Sequence, residues 1–245
     1  FGEETDSKLF LWGDSHAQML LPVLDIACRE LGVAGMASTR GGAAPVLDWS
    51  SHPAGTGANK ADTSSAKLTM DEIRRLKEKE ELAAVILAFR WGYYIEGEDF
   101  HPPWGLKNQS PFSEALLATI EQLRSMKLQV LVVQEVPIFD QHVPKTMALH
   151  VWRGVAKPRL SMDRVEEKRA PYDKLIASLA EMGLGVELFD PTPDFLGDGS
   201  WVRYLDENGV LLYRDEHHLT WQGSLRLEHR IKKQLATILF EANKR

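Results

Sequence analysis

Lys8-Leu9-Phe10-Leu11-Trp12-Gly13-Asp14-Ser15-His16 carries an apolar run directly into a Gly-Asp-Ser turn. A short apolar run closed by glycine reads as a buried strand, here residues 8–12 ending at Gly13. Met19, Leu20, Val23, Leu24, Ala27 and Leu31 then recur at helical spacing, and Gly32 closes the pattern, which predicts a helix over 17–31. Ser15 therefore stands where a first strand ends and a first helix begins. A hydroxyl there lies beside unpaired backbone N–H groups and the positive end of the helix dipole, a setting that can activate a nucleophile and hold an oxyanion.

Outward from this turn, strand-like and helix-like segments alternate, as in an α/β domain with a parallel sheet. Residues 33–37 read as a second strand. Residues 38–66, rich in Gly, Ala, Ser and Pro, read as a long loop. Thr69 and Glu72 have capping-box spacing, predicting a helix from Met70 to about Glu81. A third strand is expected over 84–89, then a loop over 90–109. Ser110-Pro111 is a cap-and-proline start for a helix through Met126. Residues 129–135 give a fourth strand, followed by a loop over 137–161. A helical stretch spans 163–182 with Tyr172, Leu175, Ile176 and Leu179 on one stripe, kinked or divided by Pro171. Residues 186–189 form a fifth strand. Asp206-Glu207-Asn208-Gly209 marks a hairpin turn between 201–205 and 210–213. Thr220 caps a last helix with Leu227, Ile231, Leu235, Ile238 and Leu239 on its apolar face. The expected fold is a three-layer α/β/α sandwich around a mainly parallel five-stranded sheet, with residues 1–245 as one domain.

Composition limits the function. The chain has 245 residues, 44% apolar, enough for one sizeable core. A net charge of -6 with no long basic stripe argues against a nucleic-acid surface. The longest apolar runs, 83–89 and 130–133, are too short to span a bilayer. Cys28, the single cysteine, falls among apolar neighbours and reads as packing, which leaves no intrachain disulfide or thiolate metal site. The chain begins at Phe1 without a charged-then-apolar leader, so it is expected to be a mature product or a piece of a longer protein.

A serine hydroxyl needs a base, and a histidine held by a carboxylate is the usual one. Asp215-Glu216-His217-His218 supplies a D-x-x-H spacing in which one tight turn sets Asp215 against the His218 imidazole. His217 is the rival base. Ser15 at a strand's carboxyl end and a loop before the last helix can meet above a parallel sheet.

Leu11-Trp12-Gly13-Asp14-Ser15-His16-Ala17, the strand end Val85-Ile86-Leu87-Ala88-Phe89-Arg90-Trp91 and Asp215-x-x-His218-Leu219-Thr220 resemble the SGNH, or GDSL-like, hydrolase superfamily. They resemble in particular the periplasmic SGNH domain fused to acyltransferase-3-type membrane proteins that O-acetylate bacterial surface polysaccharides. The resemblance implies Ser15 as nucleophile, His218 as general base and Asp215 as its orienting carboxylate. It implies an oxyanion hole from the Ser15 N–H, Gly41 or Gly42, and an asparagine after the third strand. Arg90-Trp91-Gly92 stands there instead, and Arg90 is the candidate replacement donor. It further implies an acetyl donor delivered by a membrane acyltransferase domain, a carbohydrate acceptor, no cofactor and no metal, and a periplasmic chain tethered to the inner membrane. Trp91, Tyr93 and Trp104 are candidate sugar contacts, because aromatic rings pair an apolar face with a polar edge.

Two other outcomes share these residues: a carbohydrate esterase with water as acceptor, and a non-catalytic carbohydrate-binding or partner-docking module. Asp14-Ser15-His16 also matches the first ligand block of calcineurin-like phosphoesterases, but Gly-Asp-x-x-Asp and Gly-Asn-His are missing. His16 is expected chiefly to start the first helix, and His52, His101, His142, His150 and His229 to lie at the surface or in loops.

Overall fold

The computed structural model describes residues 1–3, 5, 7–50, 56–95, 112–183, 185–197, 200–242 and 244. Along the chain lie β1 (Ser7–Gly13), α1 (Ser15–Gln18), α2 (Leu21–Leu31), β2 (Ala34–Thr39), α3 (Gly57–Glu78), β3 (Ala84–Ala88), α4 (Trp91–Tyr94) and α5 (Phe112–Ser125). Then come β4 (Gln129–Val133), α6 (Val143–Arg153), α7 (Met162–Arg169), α8 (Asp173–Glu181), β5 (Val186–Phe189), α9 (Trp221–Leu225) and α10 (Glu228–Ala242). The sheet has five strands in the order β2-β1-β3-β4-β5, and every pairing is parallel.

Alternation along the strands builds the layers, because successive side chains leave opposite faces of a sheet. Leu9, Leu11, Ile86, Ala88, Leu131 and Val133 point to one side, where α2 and α10 pack with Val23, Leu24, Ile231 and Leu235. Phe10, Trp12, Val85, Leu87, Val130 and Val132 point to the other, against Met70 and Ile73 of α3, Leu116 and Ile120 of α5, and Leu179 of α8. Strands covered on both faces read as continuous apolar runs, which is why they were recognisable in the sequence. The chain turns from β2 on one side of β1 to β3 on the other, and this strand order opens a crevice at the carboxyl ends of β1 and β3. Gly13, the last residue of β1, sits so close to β3 that a Cβ there would run into the Ala88 carbonyl.

Several elements differ from the sequence expectation. The helix over 17–31 is two helices, since Pro22 lacks an N–H and falls in the first turn of α2. Helix α3 starts at Gly57, inside the expected loop over 38–66, with Thr56 accepting from Asn59 N at 3.1 Å. Its buried face includes polar residues that hid the period. Asp62 accepts from Ser50 Oγ at 2.7 Å and pairs with Arg40, and Thr69 bonds the Ser38 hydroxyl instead of capping. Helix α6 occupies part of the expected loop over 137–161; only Val143 on it is buried, so its apolar signal is weak. Short α4 interrupts the loop expected over 90–109, and Ser110 and Pro111 lie outside the described residues.

Pro171 divides the 163–182 stretch into α7, a 3-10 turn and α8. The expected hairpin is reduced to one bridge, Leu205 to Leu211, around a turn with Gly209 at φ 79°. Thr220 caps α9, and the last apolar helix starts afresh as α10.

Candidate active site

Ser15 is the first residue of α1, and Asp14 is its cap. Asp14 Oδ1 accepts from His16 N at 2.7 Å, while Oδ2 accepts from Arg90 N at 3.0 Å and the Tyr94 hydroxyl at 2.9 Å. One carboxylate thus ties the turn after β1 to the turn after β3 and to α4. Burial pushes the Asp14 pKa up, against the opposing pull of those three hydrogen bonds. A single aspartate before a helix carries the signal of such a cap.

The C-terminal loop comes to this turn from the other end of the chain. His218 Nε2 lies 2.8 Å from Ser15 Oγ, and His218 Nδ1 lies 2.6 Å from Asp215 Oδ2. Asp215 Oδ1 accepts from His217 N and His218 N, folding the D-x-x-H segment into a tight turn. Burial opposes the charge on Asp215, but the backbone N–H groups of His218 and His217 and the His218 ring together hold its pKa down at about 2. A carboxylate facing Nδ1 puts the proton on that nitrogen and leaves the Nε2 lone pair directed at the serine hydroxyl. The loop is itself braced, since Phe139 N donates to Glu216 O and Val143 N to Asp215 O.

The His217 ring is engaged by Arg90 and His16. Arg90 Nη1 donates to its Nε2 at 3.3 Å, and its Nδ1 lies 3.0 Å from His16 Nε2. A guanidinium is only a donor, so this contact fixes His217 with its proton on Nδ1, donating to His16. Burial foremost, then the Arg90 guanidinium, lowers the His217 pKa to about 4; burial first, then the adjoining His217 and His218 rings and Arg90, lowers that of His16. Both rings are therefore neutral near pH 7. His16 is buried and stacks on His217, with ring centroids 5.2 Å apart, so it belongs to the site rather than merely starting a helix. These contacts join residues about 200 positions apart, and no local pattern announces them. His16, His217 and His218 present nitrogens within 4.8 Å of one another, a spacing a divalent cation could bridge. The Arg90 guanidinium against His217 and the use of His218 by Asp215 and Ser15 fit a proton-handling network better.

The sugar-contact expectations fare differently. Trp91 is fully buried, stacked on Phe89, with its indole N–H donated to Val133 O at 3.0 Å. Its expected substrate contact is corrected: the ring is core, because the chain turns inward into α4. Tyr93 is half-buried beside Arg90, whose guanidinium carbon lies 6.0 Å from its ring centroid. Trp104 lies outside the described residues. Gly41 is exposed and Gly42 has φ 73°. Both follow the bond from Arg40 N to Gly13 O, just beyond the carboxyl end of β2. Glu135, past the end of β4, is buried and its pKa is raised to about 7, chiefly by burial.

The family profile described as the SGNH domain fused to AT3 domains matches residues 1–233. The chain belongs to this SGNH family. Among solved structures, this SGNH domain is similar to the periplasmic domain of a Salmonella ser. Paratyphi A lipopolysaccharide acetyltransferase. That match has 17% identity and a TM-score of 0.67, covering 96% of this chain and 85% of the other. It is also similar to a candidate acylhydrolase from Bacteroides fragilis NCTC 9343, at 11% identity and TM-score 0.53 over 97% and 90% of the two chains. A GDSL-like lipase from Bacteroides thetaiotaomicron VPI-5482 matches at 13% identity and TM-score 0.50 over 95% and 89%. A search of curated protein sequences gave no significant match. At these identities the solved structures establish the fold, a parallel α/β sheet of SGNH type. Among the described residues no helix is long and apolar enough to cross a membrane.

Proposed function

We propose that residues 1–245 act as one catalytic domain, a serine-dependent O-acetyltransferase that passes an acetyl group to a carbohydrate hydroxyl. The observation that carries this reading is the continuous chain from Asp215 through His218 to Ser15, with links of 2.6 and 2.8 Å. Ser15 Oγ attacks the acetyl carbonyl of the donor while its proton passes to His218 Nε2. The carbonyl electron pair moves to oxygen, and Asp215 stabilises the imidazolium that results. Collapse expels the donor's leaving group, which takes the proton from His218 and leaves an acetyl-Ser15. The acceptor hydroxyl then gives its proton to His218 and attacks the same carbonyl; the second collapse returns the proton to Ser15 Oγ.

The oxyanion formed twice in this cycle is held by the Ser15 N–H and the N–H of Gly41 or Gly42. Arg90 adds positive charge at the rim where the resemblance implies an asparagine. Tyr93 and Trp104 are the remaining candidates for contact with the sugar. The family's description as fused to AT3 domains supports a membrane acyltransferase domain as source of the acetyl group. The periplasmic origin of the Salmonella ser. Paratyphi A relative supports the same compartment here.

Incubating the chain with an activated acetyl ester and candidate glycans tests the assignment. Acetylated glycan that disappears in Ser15→Ala is the expected result. Free acetate with no acetylated glycan would make water the acceptor and the protein an esterase. Neither product would leave only a binding module.

A further inference from the structure

From Gln141 to Met162 the chain contains Lys145, Arg153, Lys157 and Arg159 and no Asp or Glu, within a protein of net charge -6. All four cations are exposed, and none has a carboxylate partner among the described residues. The nearest acid in sequence, Asp140, is taken by Arg164 and Lys168. Interspersed with these charges are exposed apolar side chains. Val151 is 82% exposed, Trp152 71% and Val155 38%, and Trp201 nearby is 39% exposed.

Local geometry holds this surface in shape. Gly154, at φ 69°, ends α6, and the His150 ring bonds Val155 O at 2.7 Å, pinning the turn on which Val151, Trp152 and Val155 project. Arg153 lies over the Trp152 ring at 4.0 Å, and Arg159 over the Trp201 ring at 4.3 Å.

We propose that this face docks the domain on an anionic phospholipid surface. Valines and indoles exposed at and beside the end of α6, amid Lys and Arg that have no carboxylate partner among the described residues, match the chemistry of an interfacial anchor: apolar groups enter the headgroup region while cations meet lipid phosphates. A sugar would call for carboxylate or amide partners for its hydroxyls, and residues 143–160 contain no Asp, Asn, Glu or Gln. The patch bears on the catalytic loop, since α6 begins at Val143, whose N–H is bonded to Asp215 O. Eleven helical residues at about 1.5 Å each put the anchor roughly 16 Å along the helix from that loop. A surface bound at the far end of α6 therefore sets how the carboxyl edge of the sheet faces the membrane.

The test is co-sedimentation of the 245-residue chain with phosphatidylglycerol-containing vesicles and with pure phosphatidylcholine vesicles, at low and high salt. Binding is expected to the anionic vesicles only and to weaken with salt. Neutralising Arg153→Gln and Lys157→Gln should cut the partition roughly fivefold each. Trp152→Ser should weaken binding while leaving the circular-dichroism spectrum unchanged, since that ring is exposed. Ser15→Ala should bind vesicles as the parent does, which separates this proposal from the catalytic one. Absence of binding to anionic vesicles, or binding indifferent to all three patch substitutions, would overturn it. So would a patch that instead binds a soluble anionic polysaccharide in a Trp152-dependent way.

Discussion

Replacing Asp14 should damage the protein more than replacing any surface aspartate, and by an amount the geometry allows to be worked out. Its carboxylate is 2% exposed and serves three donors, His16 N, Arg90 N and the Tyr94 hydroxyl. In Asp14→Ala the helix loses its cap, at about 1 kcal/mol. The Arg90 N–H and Tyr94 O–H are left without an acceptor, at about 1–3 kcal/mol each. Burial already disfavours the Asp14 charge, as its raised pKa reports, so removing that charge returns part of the loss. The expected destabilisation is about 3–5 kcal/mol. Asp14→Asn keeps one oxygen for the cap and sets an amide N–H₂ against the Arg90 N–H, so it should cost about 1–3 kcal/mol. Urea unfolding at pH 7 measures both, with the slopes checked for equality. An Asp14→Ala midpoint equal to the parent's, or an Asn variant less stable than the Ala variant, would refute the clamp.

Asp215→Asn should leave the fold intact but release the His218 tautomer, lowering the rate of acetyl-ester turnover by about a thousandfold or more; a loss below tenfold would contradict the assignment. His217, faced by His16, His218, Arg90, Asp215 and Glu216, has its pKa lowered from 6.5 to about 4. Between those values the unfolded chain holds a proton that the folded chain lacks. Its contribution is thus fully present above pH 6.5 and is lost as pH falls toward 4, with a slope of about 1.4 kcal/mol per pH unit. Urea titrations across that range should show a shallower dependence in His217→Gln; an unchanged slope would count against it. Tyr93→Ala should raise KM for a glycan acceptor and leave hydrolysis of a small acetyl ester near the parent's rate, and equal loss on both substrates would remove Tyr93 from acceptor binding.

The inner strands β1, β3 and β4 were legible because they are covered on both faces and so appear as apolar runs, as in Val85-Ile86-Leu87. Ser15, Asp215 and His218 were legible because a strand-to-helix turn and a D-x-x-H spacing are local patterns with direct geometric consequences. The start of α3 was hidden, since its buried face uses Asp62 and Thr69, which find polar partners in Ser50 and Ser38 from distant segments. Helix α6 was hidden for the opposite reason, that almost nothing on it is buried. Trp91 read as a candidate sugar contact because burial depends on the direction of a turn that composition does not encode. The Arg90–His217–His16 chain is purely tertiary and had no sequence signature.

The most direct test of the central claim is covalent labelling with an activated phosphonate, followed by peptide mass spectrometry. The hydrogen-bonded chain from Asp215 to Ser15 predicts a single adduct, on Ser15, absent in Ser15→Ala and strongly slowed in His218→Ala, with His217→Ala retaining labelling. Labelling at another residue, or a Ser15 adduct that forms equally fast without His218, would contradict it.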